Sequence, residues 1–355
     1  MIDQPTPGKG FEDPERTGFA DAVLAWYDRE ARDLPWRVPP GRDSLPDPYH
    51  VLVSEVMLQQ TTVAVVRERF SAFLSLFSDV RRLAEAEEED VLGAWAGLGY
   101  YRRARNLHAC AKAVVSEHAG MFPNTEEALR TLPGVGDYTA AAIAAIAFRR
   151  PAVVVDGNIE RIVARIFAID EPLPGARKAI KAAATTLSSQ ARPGDYAQAL
   201  MDLGATICRP RAPQCLLCPA AQFCEALRGG LAEELPRKAA KKARKKISGR
   251  LFAITRRDGS LAVETRPTDG LFAGMIGLPG DGWEPRAVQL PPLRAQSAGQ
   301  FTHILTHREF SIEVLTAHSD ESISGLRWMT AEEAHAAMPS FFKKALKLAL
   351  SSDGS

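Results

Sequence analysis

The sequence predicts a mainly helical domain followed by a smaller α+β domain. Apolar residues recur at one-face helical spacing through much of Phe19 to Leu227, as in Ile159, Ile162, Val163, Ile166 and Phe167. Four cysteines crowd the end of that stretch, between Cys208 and Cys224. Beyond a basic segment the texture changes to short strands, with a hairpin signal at Asp258-Gly259.

The chain has 355 residues, enough for two or three domains with a sizeable core. Hydrophobic residues make up 46% and charged residues 25%, the balance of an ordinary soluble protein. No apolar run approaches the roughly 20 residues that span a bilayer. Met1 to Arg16 carries prolines and acids without an apolar stretch, so residues 1–17 read as a short disordered tail, with no signal peptide, on a cytoplasmic protein. Net charge is +1, which by itself says nothing of nucleic acid. Its distribution says more. Between Arg237 and Arg250 stand eight Lys or Arg and no acid, a basic linker suited to phosphates as well as to water. Glu85, Glu87, Glu88, Glu89 and Asp90 form an acidic knot that reads as a solvated surface.

Asp47-Pro48 has the form of an N-cap with proline at the first helical position. The helix it opens is expected to run through Glu55 toward Leu74. Gly/Pro breaks at Gly97 to Gly99, Phe122-Pro123, Pro133 to Gly136 and Pro172 to Gly175 separate further helices. After the basic segment, Leu251 to Thr255, Leu261 to Thr265 and Phe310 to Ala317 read as strands. Thr330 with Glu333 makes a capping box, and a last helix covers Phe341 to Leu350.

Cys208, Cys215, Cys218 and Cys224 have the spacing C-x6-C-x2-C-x5-C. Without a secretion signal a disulfide framework is disfavoured. Four thiolates that close together can wrap one metal centre, either zinc or an iron–sulfur cluster. Zinc ribbons pair two tight knuckles, and here only the middle pair is tight, which favours iron–sulfur. Cys110 stands apart and reads as a packed core thiol.

Leu132 to Thr139, with Gly134 and Gly136, is a turn between two helical stretches. Backbone N–H groups at such a turn can receive a DNA phosphate, although a tight helix connection accounts for it equally. Glu55 sits among Val51, Leu52, Val53, Val56, Met57 and Leu58. A helical glutamate ordinarily faces water, but apolar neighbours all round argue for burial, which raises its pKa. Asp156 follows Val153-Val154-Val155 and precedes a helix, so an N-cap role is equally open. A protonated acid beside an ionised carboxylate is what cleaving a glycosidic bond requires.

Together these pieces resemble the helix-hairpin-helix base-excision glycosylases with a C-terminal iron–sulfur loop, and within them the adenine DNA glycosylase family. The residues that carry the resemblance are Leu34 to Arg37, Ser54 to Thr61, Gly97 to Tyr101, Leu132 to Thr139, Asp156 to Asn158 and the four cysteines. It covers nearly all of Phe19 to Leu227 and continues more loosely to the C-terminus.

The resemblance implies a helix-hairpin-helix glycosylase domain over residues 18–228, with its iron–sulfur loop at 208–224. A basic linker at 229–249 and a Nudix-like domain at 250–352 would follow. It implies a substrate, duplex DNA with adenine mispaired with 8-oxoguanine, one [4Fe-4S] cluster on Cys208, Cys215, Cys218 and Cys224, and a monomeric enzyme. Glu55 would protonate the departing adenine, and Asp156 would stabilise the positive sugar. Asn158 would hold Asp156, and Tyr138 would pack beside both carboxylates. Trp36, Arg37 and Asp202 would belong to the adenine pocket. Gln60, Thr61, Leu98 and Tyr100 would surround the damaged guanine, and Gly134 and Gly136 would meet the DNA backbone. Endonuclease III-like relatives carry a nucleophilic lysine in the segment where this chain has Tyr138. A phenol forms no Schiff base, so strand cleavage through an imine is not expected.

The C-terminal domain resembles a Nudix module in Arg266-Pro267, Gly270-Leu271 and Leu278-Pro279-Gly280. Asp281-Gly282-Trp283-Glu284-Pro285 stands where the acidic catalytic box would be, so binding without diphosphate hydrolysis is expected. Leu305-Thr306-His307 falls where the family reads 8-oxoguanine, with Thr306 and His307 supplying a hydroxyl and an imidazole. The rival readings are an oxidised-pyrimidine glycosylase with lyase activity, disfavoured by Tyr138, and a non-catalytic iron–sulfur DNA-binding protein, in which Glu55 and Asp156 would be inert.

Overall fold

A computed structural model describes residues 18–352 except 241–242, 268–269, 284–287 and 306. The expected tail at 1–17, Thr306, and Glu284-Pro285 lie outside the described residues. The chain divides into two compact units, 1–239 and 240–355. Among the described residues no helix is long and apolar enough to cross a membrane.

The first unit is helical: α1 Phe19–Glu30, α2 Pro48–Leu58, α3 Val63–Leu76, α4 Val80–Glu85, α5 Glu88–Ala94, α6 Arg102–His118, α7 Glu126–Leu129, α8 Asp137–Phe148, α9 Gly157–Ile166, α10 Arg177–Thr186, α11 Pro193–Thr206 and α12 Glu225–Arg228. One apolar core runs through it. α8 is almost wholly apolar after its first turn and buries Thr139 through Ala147, as a helix enclosed on all sides must. α2 packs against it and buries Val51 through Met57, Glu55 included. α9 shows the expected stripe, with Ile159, Ile162, Val163 and Ile166 all buried. Cys110 is fully buried, and burial pushes its thiol up to about 12, so it is the inert core thiol foreseen.

The helix expected to run from Asp47 toward Leu74 is two helices. Asp47 does cap it, accepting from the Tyr49 N–H at 2.8 Å. The break comes after Leu58, where Gln60 takes a left-handed φ of 57° and α3 begins afresh at Val63. Gln59 to Thr61 therefore form a turn rather than a helix surface.

The residues after α12 also differ from expectation. Leu231 and Leu235 pack against the helical core, and the Leu173 and Ala239 N–H groups donate to the carbonyls of Arg237 and Leu173, at 2.8 and 2.9 Å. Strand structure resumes at Lys245. Both ends of the 229–249 stretch are thus taken up by the units. Leu231 and Leu235 have a core to bury in, and alternating Ile247 and Gly249 fit a sheet.

The second unit contains β1 Lys245–Thr255, β2 Leu261–Thr265, β3 Ile276–Gly277, β4 Gly280–Asp281, β5 Ala295–Ile304, β6 Arg308–His318, β7 Leu326–Met329, α13 Ala331–Ala337 and α14 Ser340–Ser352. The sheet order is β3-β2-β1-β6-β5, with β4 beside β1 and β7 beside β2. β1 and β2 form the antiparallel hairpin anticipated at Asp258-Gly259, and Gly259 supplies its φ of 82°. β1 and β6 run parallel from Lys245↔Arg308 to Thr255↔His318. Thr330 and Glu333 form the predicted capping box of α13. α14 lays Phe341 and Phe342 into the core beside Trp283 and Phe310. A Cβ at Gly277 would come within 2.6 Å of the Phe342 ring, so that position must stay bare. Trp283, from the segment replacing an acidic box, is buried in this core under the Arg266 guanidinium, 4.4 Å from its ring centre.

Candidate active site

A cavity of about 380 Å³ opens between α2, the α1–α2 connection, α8, α9 and α11. That volume suits one small planar ligand. Two carboxylates line it, Glu55 and Asp156, with Trp36, Arg37, Thr61 and Tyr138.

Glu55 is 6% exposed, surrounded by the apolar wall that α2 and α8 build together. Among the described residues its one close donor is the Tyr138 phenol, 2.6 Å from Oε2. Burial pushes Glu55 up to about 7, nearby Asp156 pushes the same way, and the Tyr138 bond and Arg37 oppose the rise. At neutral pH it is therefore a proton donor in waiting.

Asp156 caps α9. Its Oδ1 accepts from the N–H groups of Asn158 (2.9 Å) and Ile159 (2.7 Å), and its Oδ2 from Asn158 Nδ2 (3.0 Å). Burial raises its pKa, but these three donors and the nearby Arg161 hold it toward the charged form. The positive end of α9 favours the same form. Two acids in one cavity thus have opposed surroundings, one nearly free of donors and one rich in them.

Asn158 is itself fixed. Its Oδ1 accepts from Arg161 Nη2 at 3.0 Å, and Arg161 also donates to the carbonyls of Gly204 (2.7 Å) and Cys208 (2.7 Å). A Cβ at Gly204 would lie 2.5 Å from Asn158 Cβ, so α11 can approach α9 here only through a glycine.

Arg37 lines the pocket with its guanidinium, anchored on Asp202 at 2.7 Å, and Arg32 binds the same carboxylate at 2.7 Å. Asp202 is fully buried behind the two arginines and does not line the cavity. Both its oxygens are taken by guanidinium groups, so it bears on the cavity through Arg37, which lines it.

The hairpin Leu132 to Thr139 turns from α7 into α8. Gly134 has a φ of 75°, and a Cβ there would meet Asn106 at 2.5 Å, so glycine is required twice over. Gly136 precedes the first turn of α8, with open space around it and, among the described residues, no side chain capping the helix. Those N–H groups suit an anion.

Cys208, Cys215, Cys218 and Cys224 surround a small space walled by Ile162, Ile166, Leu203 and Ile207. Arg165, 2% exposed, donates to Cys208 Sγ at 3.2 Å and to the carbonyls of Arg209 (2.8 Å) and Leu235 (2.9 Å), which ties the loop to α9. Burial pushes Cys218 up to about 12 and raises Cys215 and Cys224 as well. Thiols raised in this way become thiolates together only around a centre that supplies positive charge. Among the described residues no three His, Cys, Asp or Glu side chains meet as ligands of a bare ion. The donor set fits an iron–sulfur centre in type, number and apolar enclosure.

The model of the HhH-GPD superfamily of base excision DNA repair proteins matches residues 53–187, and a NUDIX domain model matches 250–348. The human adenine DNA glycosylase is 34% identical over 406 aligned residues, covering 94% of this chain and 74% of that protein. The chain belongs to the adenine DNA glycosylase family. A second family member, from Mycobacterium tuberculosis H37Rv, is 42% identical over 199 residues, covering 56% of this chain and 64% of that one. A thermostable thymine-DNA glycosylase structure aligns at TM-score 0.54 and 30% identity, over 61% of this chain and 97% of that one. An endonuclease III–DNA complex aligns at TM-score 0.50 and 20% identity over 61% of this chain and 96% of that one, a likeness of fold.

In this adenine DNA glycosylase family member, Glu55, Asp156, Tyr138, Asn158, Trp36, Arg37 and Thr61 all line one cavity. Gln60 and Tyr100 are exposed on turns, and Tyr100 is 60% exposed. Leu98 is 5% exposed and packs its side chain into the helical core, on the loop that Gly97 and Gly99 bend. His307 is exposed on the turn between β5 and β6. Sequence reasoning did not single out Arg32, Arg161 or Arg165. The last two stand among the buried faces of α9, and an arginine inside an apolar stripe is the signal that would have found them.

Proposed function

We propose that this protein cleaves the N-glycosidic bond of adenine lying opposite 8-oxoguanine, or guanine, in duplex DNA. A stacked base is out of reach, so the nucleotide must be extruded, at a cost of a few kcal/mol. Gln60 and Tyr100, exposed on adjoining turns, are suited to enter the gap. The adenine would sit in the cavity beside Trp36 and Arg37. Glu55 gives its proton to a ring nitrogen as the C–N bond breaks, and the bonding electron pair leaves with the base. Asp156, ionised, faces the positive sugar until water adds at the sugar carbon, and the proton that the water gives up restores the Glu55 acid. Asn158 keeps the carboxylate aimed, and Tyr138 offers no amine for an imine, which supports hydrolysis without strand cleavage.

The observation that carries this reading is the pair itself: Glu55 raised to about 7 and Asp156 held by three donors, lining one cavity. Glu55→Gln and Asp156→Asn test it. Each is expected to bind duplex DNA normally and to lose excision by about 10²–10⁴-fold. Near-normal single-turnover rates in either variant would contradict the assignment.

We infer further that Cys208, Cys215, Cys218 and Cys224 hold one [4Fe-4S] cluster, supported by their spacing, their common apolar space and the Arg165 donor on Cys208. Bound there, the cluster would brace the loop that also anchors Arg161 and Arg165. A reducing compartment such as the cytoplasm would keep the four thiols available to the cluster. The second unit, through Thr306 and His307, is the proposed reader of 8-oxoguanine. The cavity is complete within one chain, so a monomer suffices for the proposed chemistry.

A further inference from the structure

Gln60 and Tyr100 stand on different segments yet share a backbone feature. Both take left-handed conformations, with φ of 57° and 48°, which a residue with a Cβ adopts only when its surroundings impose it. In the Tyr100 loop, Gly97 (φ 91°) and Gly99 (φ 67°) are left-handed as well. Something must hold both turns in shape.

One guanidinium touches both. Arg103, near the start of α6, donates from Nη1 to the carbonyls of Val56 (2.8 Å) and Met57 (3.0 Å), in the last turn of α2. Those carbonyls belong to the helix end, where intrahelical donors run out. From Nη2 it donates to the Thr61 hydroxyl (3.2 Å) and to the carbonyls of Leu98 (2.8 Å) and Gly99 (3.1 Å). Trp95, fully buried, adds Nε1 to the same Gly99 carbonyl at 3.1 Å. The Arg103 guanidinium lies 5.4 Å from the Trp95 ring centre and 5.8 Å from that of Tyr100. The fork is planar and rigid, so neither turn can shift alone. A lysine, with one ammonium, cannot span these acceptors.

We propose that Arg103 is a positioning residue for base extrusion, locking the turns that carry Gln60 and Tyr100 into a single rigid wedge. This rests on the reading that the protein extrudes and excises adenine. Arg103 itself touches neither the base nor the sugar.

The test uses the full-length protein and a duplex with adenine opposite 8-oxoguanine. Arg103→Met is measured by single-turnover excision in the wild-type background and with Gln60→Ala and Tyr100→Ala already present. Fluorescence of 2-aminopurine in the target position, read in Glu55→Gln protein, reports extrusion. Arg103→Met is expected to slow wild-type excision on the order of 10–100-fold, as loss of several hydrogen bonds to a charged group implies. Arg103→Lys should fall between. Extrusion fluorescence should fall with the rate, and the pH at which excision declines should stay put. In the doubly substituted background the same change should cost less than about twofold, because the wedge is already gone.

Equal losses in both backgrounds, or a displaced pH profile, would overturn the proposal, the latter by showing that Arg103 acts through α2 on Glu55. If Arg103→Met fails to fold, Arg103→Lys carries the same cycle. A wild-type protein that excises no adenine defeats the functional reading and this proposal together; wild-type excision with additive losses defeats this proposal alone.

Discussion

The Tyr138 phenol donates to Glu55 at 2.6 Å, and in doing so it stabilises the charged form of an acid that burial drives toward neutrality. Removing the donor should therefore make Glu55 a weaker acid. Tyr138→Phe is expected to move the alkaline decline of excision, near pH 7 in the parent, to higher pH. Single-turnover rates across neutral pH check this. A shift toward lower pH would mean that the phenol does not act on Glu55 as its geometry implies.

Glu55 also links stability to pH. Its folded pKa, about 7, lies above the ordinary 4.5, so the folded state holds the proton more tightly than the unfolded chain. That contribution is fully present below about pH 4.5 and is lost as pH rises through 7. Glu55→Gln should then be more stable than the parent near pH 8, by ~3 kcal/mol if the whole shift is expressed. The difference should shrink near pH 5. Denaturant unfolding at the two pH values measures it, and a pH-independent difference would show that Glu55 is not buried as described.

Purified without oxygen, the protein should contain iron and sulfide and absorb visible light through charge transfer. The basis is the four thiols around one apolar space. Stoichiometric zinc in their place would refute the cluster.

His307 is exposed on the β5–β6 turn. His307→Ala is expected to narrow the preference for 8-oxoguanine over guanine opposite the adenine, by roughly 1–3 kcal/mol if it loses one base contact. The ratio of excision rates on the two mispairs at low enzyme concentration reports it. An unchanged ratio would take His307 out of damage reading.

Much of this was legible in the sequence because it depends on local rules. Asp47-Pro48, Asp258-Gly259 and Thr330 with Glu333 each name their own structure, and the structure has all three. The apolar surroundings of Glu55 gave away its burial, and the cysteine spacing its shared space. What failed to show depends on distant partners. Nothing in Ser54 to Thr61 announces that the helix stops at Leu58, since its end is held by Arg103, more than 40 residues on. A loop leucine such as Leu98 carries no mark in sequence of the core its side chain enters. Asp202 gave no sign that Arg32 and Arg37, 170 and 165 positions away, would take its oxygens.

The most direct measurement is single-turnover cleavage of three duplexes: adenine opposite 8-oxoguanine, adenine opposite guanine, and an oxidised pyrimidine. The account predicts adenine removal from the first two, faster opposite 8-oxoguanine, with no borohydride-trapped DNA adduct. It predicts no release of the oxidised pyrimidine. Release of that pyrimidine with efficient trapping, or adenine left intact in both mispairs, would contradict it.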